Sequence, residues 1–69
     1  MKHKYEVIIF WSKEDEAYVA EMPELKGCLA HGDTYYEALE ALDKVADEWL
    51  SIAKENNWEI PEPKGRLLY

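Results

Sequence analysis

The sequence predicts an α+β domain, a three-stranded antiparallel β-meander followed by one long amphipathic helix, in the order βββα. Three observations predict this fold. The segment 4–11 is rich in β-branched and aromatic residues and ends at a polar turn. Two shorter apolar runs follow, separated by a segment that contains Pro23 and Gly27. Neither Gly nor Pro then occurs between Thr34 and Pro61, so a long helix can form there.

The first two predicted strands form a hairpin with apolar residues on both faces. In the strand 4–11, the odd-numbered side chains face one side, and Ile8 and Phe10 face the other. A polar turn at 12–16 leads to the second strand, 17–22, which alternates in the same way. A single helix covers only one side of such a sheet.

The third predicted strand is short and is reached through a connection rather than a tight turn. Pro23 ends the second strand because proline donates no ladder hydrogen bond. Gly27 supplies a positive φ or a bulge in the connection. The third strand then covers residue 28 to residue 31 or 32.

The predicted helix covers residues 34–57. Thr34 and Glu37 form a T-x-x-E capping box, which satisfies free N–H groups at a helix start. At about 100° per residue, one half of the helix is apolar: Ala38, Leu39, Ala41, Leu42, Val45, Ala46, Trp49, Leu50, Ile52 and Ala53. The other half is polar and mostly acidic. The chain therefore divides into a βββα domain at 1–57 and a C-terminal arm at 58–69.

The arm, 58–69, is predicted to be extended, or to add a short fourth strand at 66–69. Pro61 and Pro63 exclude a helix there. A chain of 69 residues forms one domain with a small core, and such domains are often stabilised by oligomerisation.

The apolar side chains on the side of the sheet away from the helix predict a homodimer or a higher homo-oligomer. An exposed apolar patch of this size is unusual in a monomer, and a two-fold interface buries the same patch twice. The arm either folds over the patch or crosses to the partner. The candidate interface residues are Ile8, Phe10, Tyr18, Met22, Trp58, Leu67 and Leu68.

The charge distribution favours a protein partner over nucleic acid. The net charge is −7, from 15 acidic and 8 basic residues. Binding to a phosphate backbone needs clustered Lys and Arg, whereas an acidic surface attracts a basic protein. An acidic surface also simply keeps a small protein soluble. The single Cys28 excludes an intramolecular disulfide, and no apolar run has the length of a membrane span, so we expect a cytoplasmic protein.

Two catalytic hypotheses are weaker than structural interpretations of the same residues, so we expect no enzyme, metal or cofactor. A nuclease would need converging carboxylates, with Asp15, Asp33, Asp43 and Asp47 as the candidates. Asp15 is predicted at a hairpin tip and Asp33 in a turn, whereas Asp43 and Asp47 are predicted on the outer face of the helix. Cys28 and His31 are three residues apart on a strand, so they point to opposite faces and form no nucleophile–base pair.

The spacing of many residues resembles a known family. The run Tyr18-x-Ala20-x-x-Pro23-Glu24-Leu25-x-Gly27-Cys28-x-Ala30-x-Gly32-x-Thr34-x-x-Glu37-Ala38 is similar to the signature of HicB-type antitoxin domains. The opening YEVIIFW and the closing Ile60-Pro61-x-Pro63 resemble the same family. Lys26 departs from it, because the family commonly has proline before this glycine.

The resemblance implies a partial ribonuclease-H-like fold that forms dimers and has lost catalysis. It also implies neutralisation of a small basic HicA-type toxin that cleaves mRNA. The candidate toxin-contact acids are Glu40, Asp43 and Asp47. An orphan dimer without a toxin is the alternative, and a residual nuclease or nucleic-acid-binding protein is a third. Only six residues follow Pro63, so we expect no DNA-binding module and no direct binding to DNA.

Overall fold

The computed structural model describes residues 3–64 and confirms the predicted βββα fold. The elements are β1 (Ile8–Ser12), β2 (Ala17–Glu21), β3 (Leu29–Gly32) and α1 (Tyr35–Glu55). The strands form one antiparallel sheet in the order β1-β2-β3, so β2 is central. α1 packs across one face of this sheet, which makes a two-layer domain.

β1 begins at Ile8, four residues later than the sequence predicts. Ile8 pairs with Glu21, the last residue of β2, and Pro23 follows too soon for the ladder to continue. The residues before Ile8 therefore have no partner strand. Tyr5 and Val7 still pack against the core, so their apolar character serves burial rather than pairing.

The β1–β2 turn has no glycine, and Glu16 adopts the left-handed conformation in its place, with φ of 50°. The turn is held by Ser12 and Asp15. The Ser12 hydroxyl donates to the Asp15 carboxylate over 2.9 Å and accepts from the Asp15 backbone N–H over 3.2 Å. This reciprocal pair closes the hairpin without a dedicated turn residue.

The connection between β2 and β3 is a compact loop rather than a flexible link. The Met22 N–H donates to the Cys28 carbonyl over 3.0 Å, and the Leu25 N–H donates to the Met22 carbonyl over the same distance. The side chain of Leu25 is 1% exposed, so the loop contributes to the core. Gly27 has a φ of 80°, as its position in the sequence predicts.

α1 begins with the predicted cap. Thr34 has extended backbone angles, and its hydroxyl accepts a hydrogen bond from the Glu37 N–H over 3.1 Å. The Glu37 carboxylate reaches back to the Asp33 N–H over 3.1 Å, one residue before the usual capping-box partner. The first bond satisfies a free backbone donor within the first helical turn, and the second satisfies one that precedes the helix.

α1 ends at Glu55, two residues before the predicted end. Asn57 has a positive φ of 55°, and the Trp58 N–H donates to the Ala53 carbonyl over 2.8 Å. This is the hydrogen bond of a Schellman cap, with asparagine in place of the usual glycine. No helix within residues 3–64 combines the length and the apolar character needed to cross a membrane.

The core lies between the sheet and α1 and is rich in small side chains. Its buried members are Ala20, Met22, Leu25, Cys28, Ala30, Ala38, Leu42 and Ala46. The alanines allow the helix to lie close to the sheet. A close approach occurs at Gly32, where an added Cβ would lie 2.3 Å from the backbone nitrogen of Ala38.

The described part of the arm, residues 58–64, contains no helix or strand and folds back onto its own chain. The Tyr5 hydroxyl donates to the Pro61 carbonyl, and the Lys64 N–H donates to the Glu24 carboxylate over 3.3 Å. The Trp58 ring packs edge-on against Trp49, with centroids 6.0 Å apart. The fourth strand considered for 66–69 lies outside the described residues.

Burial raises the pKa of the Tyr5 hydroxyl, and the nearby carboxylates of Glu24 and Glu62 raise it further. The hydroxyl therefore keeps its proton at neutral pH and remains a donor to Pro61. This bond links the segment before β1 to the arm.

We predict that Gly32→Ala destabilises the protein by about 3 kcal/mol, because the new methyl group meets helix backbone that cannot move aside. Gly27→Ala is the matched control. No atom lies within 4 Å of its Cβ position, so only the positive φ opposes the change, at about 1 kcal/mol. Urea denaturation followed by circular dichroism measures both. Equal losses for the two variants would contradict a steric role for Gly32.

Candidate functional site

The face of the sheet opposite α1 is the first candidate surface, and we call it the open sheet face. The register pairs Ile8 with Glu21 and Glu21 with Leu29, and it pairs Phe10 with Val19 and Val19 with His31. Paired residues of antiparallel strands share a face. The open sheet face is therefore formed by Ile8, Phe10, Ser12, Ala17, Val19, Glu21, Leu29 and His31.

This surface is largely apolar and partly accessible. Phe10 is 44% exposed and Leu29 is 43% exposed. Val19, on the central strand, is only 5% exposed, although it lies outside the core between the sheet and α1. Its register partners Phe10 and His31 lie beside it on the edge strands. No segment within residues 3–64 packs over Phe10 or Leu29 to bury them.

Two residues that the sequence analysis grouped with Ile8 and Phe10 lie on the other side of the sheet. Met22 is 1% exposed and belongs to the core beneath α1. Tyr18 pairs with Trp11 in the register and packs against the same core. Their predicted placement on the side of the sheet away from the helix is wrong, because alternation within each strand does not reveal which faces of two strands coincide.

Tyr18 instead belongs to a row of aromatic rings on the helix side. Its ring lies 5.1 Å from that of Trp11 in an edge-on arrangement and 4.5 Å from that of Tyr35. Each such pair stabilises the folded state by about 0.5–1.5 kcal/mol more than the burial of its apolar area alone. The row ties the end of β1 to the first turn of α1.

The remaining predicted interface residues belong to the arm. Trp58 is 51% exposed and lies beside Trp49 on the helix side, away from the open sheet face. Leu67 and Leu68 lie outside the described residues. The structure therefore leaves only Ile8 and Phe10, of the predicted set, on the open sheet face.

The acidic outer side of α1 is the second candidate surface. Glu40 is exposed, while Asp43 and Asp47 are half-buried. Nε2 of His3 lies 2.9 Å from an Asp47 carboxylate oxygen and 3.5 Å from one of Asp43. Like charges four residues apart on a helix repel each other. Here the imidazole of the N-terminal segment lies between them, so this segment is held against the helix.

A shallow cleft of about 240 Å³ lies one turn earlier, and we call it the Tyr36 cleft. It is lined by Tyr36, Leu39, Glu40 and Asp43, which follow each other at helical spacing. Glu40 and Lys44, four residues apart on α1, form no ion pair in the part of the chain described here. The cleft therefore combines an aromatic ring, an aliphatic side chain and two carboxylates.

The proposed metal-binding carboxylates do not converge. Asp15 contacts Ser12 in the hairpin turn and Nε2 of His31 at 3.4 Å, and Asp33 precedes the helix cap. Asp43 and Asp47 lie on the outside of α1 with His3. Within residues 3–64, no group of three or more His, Cys, Asp or Glu side chains is arranged to hold a metal ion.

Cys28 and His31 lie in different surroundings. Cys28 is 2% exposed in the core, and burial raises the pKa of its thiol. His31 is exposed on the open sheet face, beside Asp15. A neutral, buried thiol is a poor nucleophile. The arrangement gives Cys28 a packing role.

We predict that the Cys28 thiol reacts with a disulfide reagent at least about a hundredfold more slowly in the folded protein than in denaturant. A folded-state pKa above the ordinary value of 9.0 favours the protonated thiol. The raised pKa of Cys28 stabilises the folded protein at pH values below 9.0, and this stabilisation is lost as the pH rises through the folded-state pKa. Labelling rates at pH 8 with and without urea measure the effect, with Cys28→Ala as the blank. Equal rates would show an accessible thiol.

Several residues of these surfaces were missed by the sequence analysis. Val19, Leu29 and His31 join the open sheet face only through the strand register, which no local pattern specifies. His3 contacts α1 across 44 positions of the chain, which no local pattern indicates. The spacing of Asp43 and Asp47 was the available signal, since two carboxylates four residues apart on a helix repel each other and favour a nearby hydrogen-bond donor.

Comparisons with known proteins agree on one family. The UPF0150-like family model matches residues 2–61. UPF0150 protein ssl0259 of Synechocystis sp. is 44% identical over 63 residues, covering 91% of this chain and 85% of that protein. UPF0150 protein Ta0767 of Thermoplasma acidophilum is 38% identical over 58 residues, covering 84% of this chain and 83% of that protein. No solved structure gives a significant match. The chain belongs to the UPF0150-like family.

Proposed function

We propose that this protein is a HicB-like antitoxin domain that acts by binding a protein and has no catalytic activity. Its partner is a small basic toxin of the HicA type, an mRNA interferase. The resemblance of the segment 18–38 to HicB-type domains supports this proposal, and so does the βββα fold. The proposed role is cytoplasmic, where a single thiol such as Cys28 stays reduced.

The observation that carries the proposal is the acidic outer side of α1. Glu40 projects into solvent without an ion pair among the described residues, and Asp43 lies one turn further along the same side. A toxin that binds RNA presents clustered Lys and Arg. An acidic helix surface complements that charge and would cover the positions that the RNA phosphates occupy. Inhibition would follow from steric exclusion of the RNA.

The test is co-expression with a candidate small basic protein encoded by a neighbouring reading frame. We expect the two proteins to co-purify, and we expect the ribonuclease activity of the toxin to fall to background at equimolar antitoxin. Glu40→Gln should weaken inhibition by about threefold to tenfold, as expected for the loss of an interfacial charge. Glu14→Gln, in the β1–β2 turn, removes the same charge elsewhere and should have no effect. Full ribonuclease activity in excess wild-type protein would exclude the antitoxin function.

An orphan regulatory homodimer without a toxin is the second candidate, and the open sheet face favours it. Phe10 and Leu29 are each more than two-fifths exposed there. Completing the burial of such side chains contributes about 1 kcal/mol each. A second copy of this chain, related by a two-fold axis, would bury both residues from each protomer. A homodimer is compatible with either function, because the acidic side of α1 lies on the other side of the domain.

We predict a dimeric mass by light scattering at micromolar concentration, and we predict that Phe10→Lys makes the protein monomeric. A lysine on the open sheet face would bring two like charges together across the interface. Trp11→Lys is the control, since Trp11 is 53% exposed on the same strand but points to the helix side. It should remain dimeric. A monomeric wild-type protein at this concentration would refute the homodimer.

A further inference from the structure

The Tyr36 cleft has a chemical composition that neither the acidic charge nor the family alone specifies. The Tyr36 side chain is 68% exposed, so one side of its ring is open to a ligand. Leu39 supplies an apolar surface next to it, and Glu40 and Asp43 supply carboxylates on the same side of α1. Aromatic face, aliphatic wall and carboxylates together match a long cationic side chain.

The carboxylates of the cleft have unused capacity to accept hydrogen bonds. Glu40 has no cationic partner within residues 3–64, and Lys44 does not reach it. One Asp43 oxygen is shielded from solvent but accepts no hydrogen bond from the described residues, and Nε2 of His3 lies 3.5 Å from it. A shielded carboxylate oxygen without a donor is costly. Because this oxygen is shielded, the exposed Glu40 carboxylate is the acceptor that a donor entering from the cleft meets first.

The same side of α1 already binds a flat nitrogen-containing ring from its own chain. The imidazole of His3 is 12% exposed and lies between Asp43 and Asp47. The helix surface therefore accommodates a planar donor between carboxylates one turn apart. The Tyr36 cleft repeats this arrangement one turn earlier, with Glu40 and Asp43, and it adds an aromatic ring.

We propose that the Tyr36 cleft receives an arginine side chain of a basic protein partner. The guanidinium group donates to Glu40 and Asp43 and stacks on the Tyr36 ring, while its aliphatic part lies on Leu39. Arginine fits better than lysine, because its planar group pairs with carboxylates through two parallel bonds and stacks on aromatic rings. The partner's identity rests on the proposed function, whereas the selectivity for arginine rests on the cleft.

A second acidic cleft on α1 provides an internal comparison. It has a volume of about 410 Å³ and is lined by Asp47, Glu48, Ser51, Ile52 and Glu55. Three of its five lining residues are carboxylates, but it has no aromatic ring. A ligand attracted by negative charge alone would bind at this cleft as readily as at the Tyr36 cleft. Glu48 is therefore the matched control for Glu40.

The test is a titration of the isotope-labelled full chain with the peptide Ac-Gly-Arg-Gly-NH2, followed by amide chemical shifts. We expect the largest shifts at residues 36–43 and about threefold tighter binding than for the lysine peptide. Tyr36→Ala and Glu40→Gln should each weaken the arginine peptide by about threefold. Glu48→Gln should change its affinity by less than the experimental error. All three changes are at surface positions, and circular dichroism verifies that the variants are folded.

Two results would overturn the proposal. One is equal binding of the arginine and lysine peptides with equal losses for Glu40→Gln and Glu48→Gln, which indicates attraction by net charge. The other is the absence of amide chemical-shift changes at residues 36–43 when the peptide concentration reaches saturation or the solubility limit. If either result accompanies full toxin inhibition by the wild-type protein, the cleft is wrong and the antitoxin function stands. If the peptide binds selectively and no toxin is inhibited, the cleft stands and the partner is another basic protein.

Discussion

The close contact between Gly32 and the first turns of α1 is the constraint on which the rest of the domain depends. A side chain at this position would lie 2.3 Å from helix backbone, so the helix can reach its place only because residue 32 has none. Ala20, Ala30, Ala38 and Ala46 continue the narrow spacing along the layer. Small residues at such a seam let backbone approach backbone and leave little volume for larger side chains. The helix is thereby fixed to one face of the sheet.

This one-sided packing determines both candidate surfaces. Because the main core cluster lies between α1 and the sheet, Phe10 and Leu29 remain on the opposite side with no described segment over them. The charged side of α1 points away from the sheet in the other direction. Self-association through the sheet and binding of a basic partner through the helix therefore use opposite sides of the domain. The two proposed interactions do not compete for surface.

The fold could be predicted from the sequence, because its determinants are local. The Thr34–Glu37 cap, the run without Gly or Pro, and the alternation in the strands each act within a few residues. The composition of the open sheet face could not be predicted, since it depends on which residue of β2 lies opposite each residue of β1. A shift of one residue exchanges the faces, and Tyr18 and Met22 were misassigned for that reason. The His3 contact joins residues 44 positions apart, beyond any local pattern.

The contact of His3 with Asp43 and Asp47 has a consequence for how the protein is prepared. A polyhistidine tag fused to the N-terminus would bring several more imidazole rings next to the acidic side of α1, beside the Tyr36 cleft. Such a tag would compete with a basic ligand through the same carboxylates and would weaken measured affinities. Placing the tag after the arm separates it along the chain from His3. The position of the tag would therefore affect the affinity measured in any binding assay.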